Sequence, residues 1–226
     1  MTATTVLPAT AAVTSLHLTR LQLDPAHPLV QKDLRNGREM HRTVMSLFPQ
    51  ANGDTPRSDL GVLFRIEPQR HGLIMLVQSF IPAHLDALPV GYSTAADQRS
   101  LAPVLEWIQP GLPVRYRIVA HPTAVRGTGA TDTRSRRVSL DGQEAADWWI
   151  RKAEAAGMDL HPGGTGHLAA PIRLGRSLAH RPVRFEGTAT LTDTNAVHSA
   201  LRYGIGQGKP YGCGLLSLAP HTPTRG

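Results

Sequence analysis

Cysteine, lysine and long apolar segments are all scarce in this sequence. Cys213 is the only cysteine, which excludes an internal disulfide and a zinc site of paired cysteines and favours a reducing, cytoplasmic location. No apolar run approaches the length of a membrane-spanning helix, so we expect no membrane partner. The first residues lack the basic start and the continuous apolar core of a signal peptide, and we predict a disordered extension at residues 1–15.

Positive charge, by contrast, is abundant. Lysine and arginine number 24 against 17 acidic residues, which gives a net charge of +7 and a pI of about 10.3. Such a balance favours a polyanionic partner. Lys32, Lys152 and Lys209 are the only lysines, so the excess is mostly arginine. The planar guanidinium suits phosphates, but a GC-rich genome gives the same bias without any function.

Hydrophobic periodicity divides the sequence into two similar halves. The first half predicts a strand at 16–23, a helical stretch at 28–48 interrupted at 36–37, and strands at 62–66 and 73–80. The second half predicts a strand at 112–120, a helix that begins near Asp141, a strand at 183–191, a helix at 195–203 and a strand at 215–219. Residues 81–109 are poorly patterned, and we place the domain boundary among them.

Both halves approximate the order β-α-β-β-α-β of the ferredoxin-like fold. We therefore predict an α+β protein with two tandem ferredoxin-like, RRM-like domains, at residues 16–107 and 108–226. The second half fits this order well, whereas the second helix of the first half is hard to find.

A glycine-rich segment, GIGQGKPYGCG, occupies residues 204–214. The phosphate-loop pattern G-x-x-x-x-G-K-[ST] would require a glycine at Tyr203 and a hydroxyl residue at Pro210, and the pattern G-x-G-x-x-G also fails. Both nucleotide loops lead from a strand into a helix, whereas this segment leads from a helix into a strand. The glycines could simply end the helix and form a turn. Five of them with a lysine nevertheless favour a loop that contacts a ligand.

Four segments together resemble the CasE family, the CRISPR repeat-processing endoribonucleases of the type I-E Cascade complex. They are, in chain order, LTRLQLDP at 18–25, EMHRTVMSLFP at 39–49, RYRIVAHPTAVR at 115–126 and GIGQGKPYGCGLLSLAP at 204–220. The resemblance implies two ferredoxin-like domains that bind the repeat hairpin of CRISPR RNA and cut at its base. It also implies cleavage without a metal or other cofactor, products with a 2′,3′-cyclic phosphate and a 5′-hydroxyl, and assembly with other Cascade subunits.

The resemblance identifies His41, among eleven histidines, as the catalytic residue. Histidine transfers protons near neutral pH, and Asn36 and Glu39 form a capping-box-like helix start before it. Met40, Val44, Leu47 and Phe48 predict an apolar stripe, with His41 at its edge, near a helix N-terminus that should lower its pKa. From the residues alone, a half-buried packing histidine is the favoured alternative.

Two arginines are candidates to stabilise the pentacoordinate phosphorus beside His41. The family often carries a tyrosine three residues before this histidine, and Arg38 stands there in this sequence, on the same helix face. Arg42 follows His41 directly and could act from another direction. The alternative is that both arginines contact solvent or the RNA backbone.

Further basic residues are predicted to hold RNA through phosphates and 2′-hydroxyls, which suits an A-form stem. They are Arg126; Arg134, Arg136 and Arg137; and Arg173, Arg176, Arg181 and Arg184, the last group as a basic hairpin. Gly206, Gly208 and Lys209 of the glycine-rich segment are predicted to hold RNA backbone as well. For each basic cluster, the alternative is a solvated loop.

Three hypotheses follow from the sequence. The first is the endoribonuclease, and the second is a hairpin-binding Cascade subunit that has lost most cleavage because of Arg38. The third is a pair of ferredoxin-like domains without an RNA role. No metal site is predicted, because His161 and His167 are separated by glycines and no carboxylate pair accompanies them.

Overall fold

The computed structural model describes residues 15–49, 56–70, 72–127, 135–163, 165–168, 172–173 and 179–221. The predicted N-terminal extension lies outside these ranges apart from Ser15, whose hydroxyl donates a hydrogen bond to the Phe80 carbonyl at 2.9 Å. In the described part of the chain, no helix is both long enough and apolar enough to cross a bilayer.

The first half of the chain forms one antiparallel sheet covered by helices. Its elements are β1 (His17–Leu23), α1 (Pro28–Arg35), α2 (Gly37–Ser46), α3 (Pro56–Asp59), β2 (Leu63–Gln69), β3 (Gly72–Ser79) and β4 (Ser93–Ser100). The strands lie in the order β2-β3-β1-β4, which is the ferredoxin-like arrangement. Between β3 and β4, a 3₁₀ helix (Leu85–Ala87) stands where that fold usually has its second helix.

The second half repeats this topology. Its elements are α4 (Ala102–Trp107), β5 (Pro113–Ala120), β6 (Thr123–Gly127), β7 (Ser135–Ser139), α5 (Gly142–Ala155), β8 (Met158–Leu160), β9 (Thr165–Leu168), β10 (Ile172–Arg173), β11 (Ala179–His180), β12 (Val183–Leu191), α6 (Thr194–Tyr203) and β13 (Leu216–Pro220). The sheet order is β13-β5-β12-β8, and β9 pairs with the other end of β12. Strands β6 and β7 form one separate hairpin, and β10 and β11 form another. Both halves therefore have the predicted ferredoxin-like topology.

Residues 81–109 are not the unpatterned connection that we expected. They contain β4, which pairs with β1, and α4. The sequence of β4, STAADQRS, has no apolar alternation because this edge strand is largely exposed and is held by pairing rather than by burial. Leu105 and Ile108, at α4, are buried in the core of the second half. The domain boundary after residue 107 stays a prediction.

Polar contacts fix the two halves against each other. Gln78 on β3 donates a hydrogen bond from Nε2 to the carbonyl of Leu201 on α6 at 2.6 Å. Arg65 on β2 donates from Nη1 to the carbonyl of Leu215 at 2.8 Å. This junction brings a second 3₁₀ helix, Lys209–Tyr211, against α2 and β2. The glycine-rich segment of the second half therefore lies beside the helix that carries His41.

Candidate active site and nucleic-acid interface

Helix α2 carries His41 along the edge of a buried stripe. The Asn36 side chain accepts a hydrogen bond from the Arg38 amide at 3.0 Å and caps the helix, as predicted. The predicted apolar stripe is buried in the core of the first half; its members are Met40, Val44, Leu47 and Phe48. His41 beside it is partly buried, so the core supports the ring while part of the residue stays accessible.

Glu39 does not complete the capping box that the sequence suggested. The Asn36 amide donates instead to the Asp33 carbonyl at 3.1 Å. The Glu39 carboxylate forms ion pairs with Lys32 at 2.9 Å and with Arg42. The hydrogen bond from Lys32 in particular holds the pKa of Glu39 below its usual value. Glu39 therefore joins α1 to α2 rather than capping α2.

A buried hydrogen bond fixes α1 and α2 in place. The Tyr92 hydroxyl donates to Asp33 Oδ2 at 2.8 Å and lies 3.9 Å from Met40 Sδ. Burial, reinforced by Asp33, raises the pKa of Tyr92 far above its ordinary value, so the phenol stays protonated and keeps donating. This contact holds the pair of helices that positions His41.

The surroundings of His41 favour its neutral form. Burial lowers its pKa below the ordinary value of 6.5, and the positive charge of Arg57 lowers it further. Its Nδ1 atom is buried and has no hydrogen-bond partner among the described residues. The predicted direction of the shift is confirmed, although the causes are burial and Arg57. A neutral imidazole can accept a proton, which an imidazolium cannot.

Arg57 is the site residue that sequence reasoning missed. It lies on α3 and is partly buried, with Nη1 donating to the Val62 carbonyl at 3.0 Å and Nη2 donating to the Ser58 hydroxyl at 3.1 Å. Its charge lowers the pKa of both His41 and Lys209, so the three groups lie within electrostatic reach of one another. The surrounding sequence TPRSD reads as an ordinary polar turn and gives no signal of this role.

Lys209 is brought to the same place by the fold of the glycine-rich segment. It begins the 3₁₀ helix that packs on α2 and β2. The side chain is partly buried, and this burial lowers its pKa before the charge of Arg57 lowers it further. The structure therefore groups basic side chains from α2, from α3 and from the end of the second half.

The five glycines of this segment have structural reasons of their own. All have φ between 70° and 91°: Gly204, Gly206, Gly208, Gly212 and Gly214. A Cβ on Gly206 would lie 3.0 Å from the Trp148 ring, and one on Gly208 would contact Cys213 and His121. The inference that so many glycines indicate a ligand therefore loses its basis. Contact of Gly206 and Gly208 with RNA stays a prediction.

Most backbone amides of the segment donate hydrogen bonds within the protein itself. Those of Tyr211 and Cys213 donate to the Gly208 carbonyl, at 2.8 Å and 3.3 Å, and that of Gly214 donates to the Val119 carbonyl at 2.7 Å. The Lys209 side chain is therefore a stronger candidate for an RNA contact than the backbone around it.

Arg38 and Arg42 are both exposed on α2, one turn before His41 and directly after it. Arg42 is ion-paired with Glu39, so it must leave that carboxylate, or share it, to reach a phosphate. No ion pair between described residues includes Arg38. The roles predicted for both stay predictions.

The basic hairpin predicted in the second half corresponds to β10 and β11. Arg173 ends β10, and the backbone of β10 approaches α1, which brings this hairpin to the side of the molecule that carries α1 and α2. Arg176 lies outside the described residues. Arg181 is exposed, whereas Arg184 on β12 is partly buried and lies 3.5 Å from Glu186.

The remaining predicted RNA contacts belong to the hairpin of β6 and β7. Arg126 pairs in register with Arg136 and forms an ion pair with Glu144 on α5. Arg137 is exposed on β7, and Arg134 lies outside the described residues. Arg126 is thus partly neutralised within the protein itself.

Other chemistries have less support among the described residues. Cys213 is buried, and burial raises the pKa of its thiol to about 12, which disfavours a thiolate nucleophile. The described ranges contain no group of three or more side chains placed to hold a metal ion. His161, one of the two histidines considered for a metal, is hydrogen-bonded to the Thr190 hydroxyl at 2.8 Å.

Comparison with known proteins places the chain in a family. Residues 16–220 match the family model "CRISPR associated protein". The chain is 31% identical over 222 residues to the CRISPR-associated endoribonuclease Cse3 of Thermus thermophilus, covering 90% of this chain and 99% of that protein. It is 29% identical over 195 residues to the CRISPR system Cascade subunit CasE of Escherichia coli, covering 80% and 91%.

A solved structure of Thermus thermophilus Cse3, bound to an RNA representing a pre-cleavage complex, superimposes with a TM-score of 0.80. The two are 30% identical, and the match covers 91% of this chain and all of that one. The predicted fold class and the resemblance seen in the sequence are both confirmed. The matching family model, the sequence identity and the shared fold together show that this chain belongs to the CRISPR-associated protein family.

Proposed function

We propose that this protein is an endoribonuclease that binds the repeat hairpin of precursor CRISPR RNA and cuts at the base of the stem. Its relatives support this, since one is named an endoribonuclease and its structure holds RNA in a pre-cleavage complex. The observation that carries the chemistry is the partly buried His41, whose pKa is lowered by burial and by the charge of Arg57.

The proposed reaction uses the RNA's own ribose as the nucleophile. His41 accepts the proton of a 2′-hydroxyl, whose oxygen attacks the adjacent phosphorus. The bond between phosphorus and the 5′-oxygen then breaks, that oxygen takes up a proton from water, and His41 returns its proton to water. The products carry a 2′,3′-cyclic phosphate and a 5′-hydroxyl. Because the attacking group is a ribose hydroxyl, the reaction requires no metal-activated water.

Positive charge around His41 supports this reaction. Negative charge grows on the phosphate oxygens as the 2′-oxygen attacks, and fixed cations stabilise that charge best where water is partly excluded. Arg38 and Arg42 flank His41 on α2, and the partly buried Lys209 lies on the 3₁₀ helix packed against α2. We assign these side chains to the phosphate at the cut.

The rest of the hairpin RNA is proposed to lie along the basic residues of the second half. The β10–β11 hairpin is the best placed of these, because its backbone approaches α1, which packs against α2. We further propose that the protein stays on the cut hairpin and assembles into Cascade. The name of the Escherichia coli relative, a Cascade subunit, supports the assembly.

A second candidate function is hairpin binding with little or no cleavage. The observation that favours it is Arg38, which stands one turn before His41, where the resembled family often has a tyrosine. An arginine can stabilise charge but does not readily give up a proton, because its guanidinium group stays charged in proteins. If the missing phenol normally takes part in proton transfer, cleavage here would be slow.

Cleavage of two matched RNAs in EDTA tests this function. One is the repeat hairpin from the same genome, and the other carries a single 2′-deoxy nucleotide before the expected cut. We expect the first to be cut once, at the stem base, with a cyclic phosphate on the upstream product, and the second to stay intact. Binding of both without cleavage would support the second function, and cleavage of the deoxy RNA would exclude the 2′-hydroxyl mechanism.

A further inference from the structure

Lys209, on the 3₁₀ helix packed against α2, and Arg57, on α3, bring two positive charges close to His41. No ion pair between described residues includes any of the three. The carboxylates on α1 and α2 are occupied: Glu39 by Lys32 and Arg42, and Asp33 by the Tyr92 hydroxyl. Asp59, on α3, also has interactions of its own. Partly buried like charges repel one another, and an arrangement of this kind is typical of a site that receives an anion.

The guanidinium of Arg57 is prepared for such an anion. Two hydrogen bonds, to the Val62 carbonyl and the Ser58 hydroxyl, fix its plane and use two of its five N–H donors. The donors that remain can form the paired hydrogen bonds that guanidinium groups make with phosphate oxygens. Because the group is already fixed in the free protein, little side-chain entropy is lost when it binds.

We propose that Arg57, together with Lys209, binds the phosphate at the bond that is cut. The identity of this anion as an RNA phosphate rests on the proposed function. Arg57 would then contact the substrate directly. It lies on α3, whereas the other candidate arginines, Arg38 and Arg42, lie on α2. Its contacts to Val62 and Ser58 would keep the phosphate in register with His41.

The charge of Arg57 also offers a readout that a merely structural arginine would not change. Other charged side chains lie on α2 itself and on the elements packed against it: Lys32, Asp33 and Arg35 on α1, Arg38, Glu39 and Arg42 on α2, and Lys209. Of the described groups, Arg57 is the one whose charge moves the pKa of His41. Removing that charge should raise this pKa toward its ordinary value.

The test measures the His41 ring signal by NMR in the full chain, with and without inorganic phosphate. Comparison with His41→Gln identifies the signal. We compare wild type with Arg57→Gln, with Arg57→Lys, which keeps the charge, and with the exposed control Arg99→Gln. We expect phosphate to shift the His41 signal in wild type, Arg57→Lys and Arg99→Gln. In Arg57→Gln, we expect a higher pKa without phosphate and at least a tenfold weaker phosphate effect.

The RNA assay supplies the second readout. At saturating protein, we expect Arg57→Gln to slow hairpin cleavage by roughly 10²-fold, with Arg57→Lys recovering part of the rate. If Arg57→Gln cleaves at the wild-type rate, or leaves the pKa of His41 and the phosphate response unchanged, the proposal is overturned. If wild type responds to phosphate through Arg57 but neither binds nor cuts the hairpin, the anion site stands and the proposed function fails.

Discussion

Replacing Arg65 by methionine should destabilise the whole protein, because this side chain ties its two halves together. Arg65 is 2% exposed and contacts Glu67 through Nε at 3.0 Å and Nη2 at 2.7 Å. On the second half, it donates to the carbonyls of Leu215 at 2.8 Å and Arg117 at 3.3 Å, and to the Ser217 hydroxyl at 2.9 Å. Methionine fills much of the volume but donates no hydrogen bond.

The expected loss follows from the groups left behind. Breaking a buried ion pair by removing one partner costs about 3–5 kcal/mol. The lower end of this energy range applies here, because the Glu67 side chain is 17% exposed and its ion pair with Arg117, at 3.6 Å, remains in the variant. For a chain of this size, each kcal/mol lowers the melting temperature by about 2–4 °C. We therefore expect a decrease of roughly 6–12 °C.

Thermal unfolding followed by circular dichroism checks this value. The matched control is Arg99→Met, which removes an exposed ion pair with Asp97 and should change the melting temperature by less than about 2 °C. A melting temperature of Arg65→Met within 2 °C of the control would refute the reasoning that this arginine holds the halves together.

Three further predictions concern the site. The apparent kcat/KM for hairpin cleavage should fall on acidification with a midpoint below pH 6.5, as His41 takes up a proton at its lowered pKa; a midpoint above pH 6.5 would contradict this. In urea unfolding, Gly206→Ala should be less stable than Gly111→Ala. Both glycines have φ near 80°, but only a Cβ at position 206 would lie against an indole ring, at 3.0 Å. Equal losses of unfolding free energy in the two variants would contradict this prediction. Lys209→Gln should reduce the slope of log binding constant against log salt by about 1, whereas Lys152→Gln on α5 should leave it unchanged.

The helix that carries His41 could be predicted because local rules and burial agree there. Asn36 caps it, and Met40 and Val44 repeat at the helical period and are buried. Strand β4 could not be predicted, because an exposed edge strand has no apolar alternation and is held by its partner β1. The strand conformation of β4 is set by pairing with β1, which lies far away in the sequence.

Arg57 shows why the rest of the site was not visible in the sequence. Its importance lies in its electrostatic reach to His41 and Lys209, groups that only the packing of the two halves brings together. The glycine-rich segment shows that one sequence pattern can have a second explanation, while its contact with RNA stays a prediction. Gly206 and Gly208 looked like a ligand loop, yet their φ values and tight contacts with Trp148 and Cys213 account for them.

Cleavage of the repeat hairpin depends, in the proposed reaction, on proton transfer by His41. The most direct measurement compares single-turnover cleavage in EDTA by wild type, His41→Ala and His84→Ala, an exposed histidine used as control. We expect cleavage at the stem base by wild type and by His84→Ala, with His41→Ala slower by ~10²-fold or more but still binding the hairpin. If His41→Ala cuts as fast as wild type, the assignment of His41 is wrong.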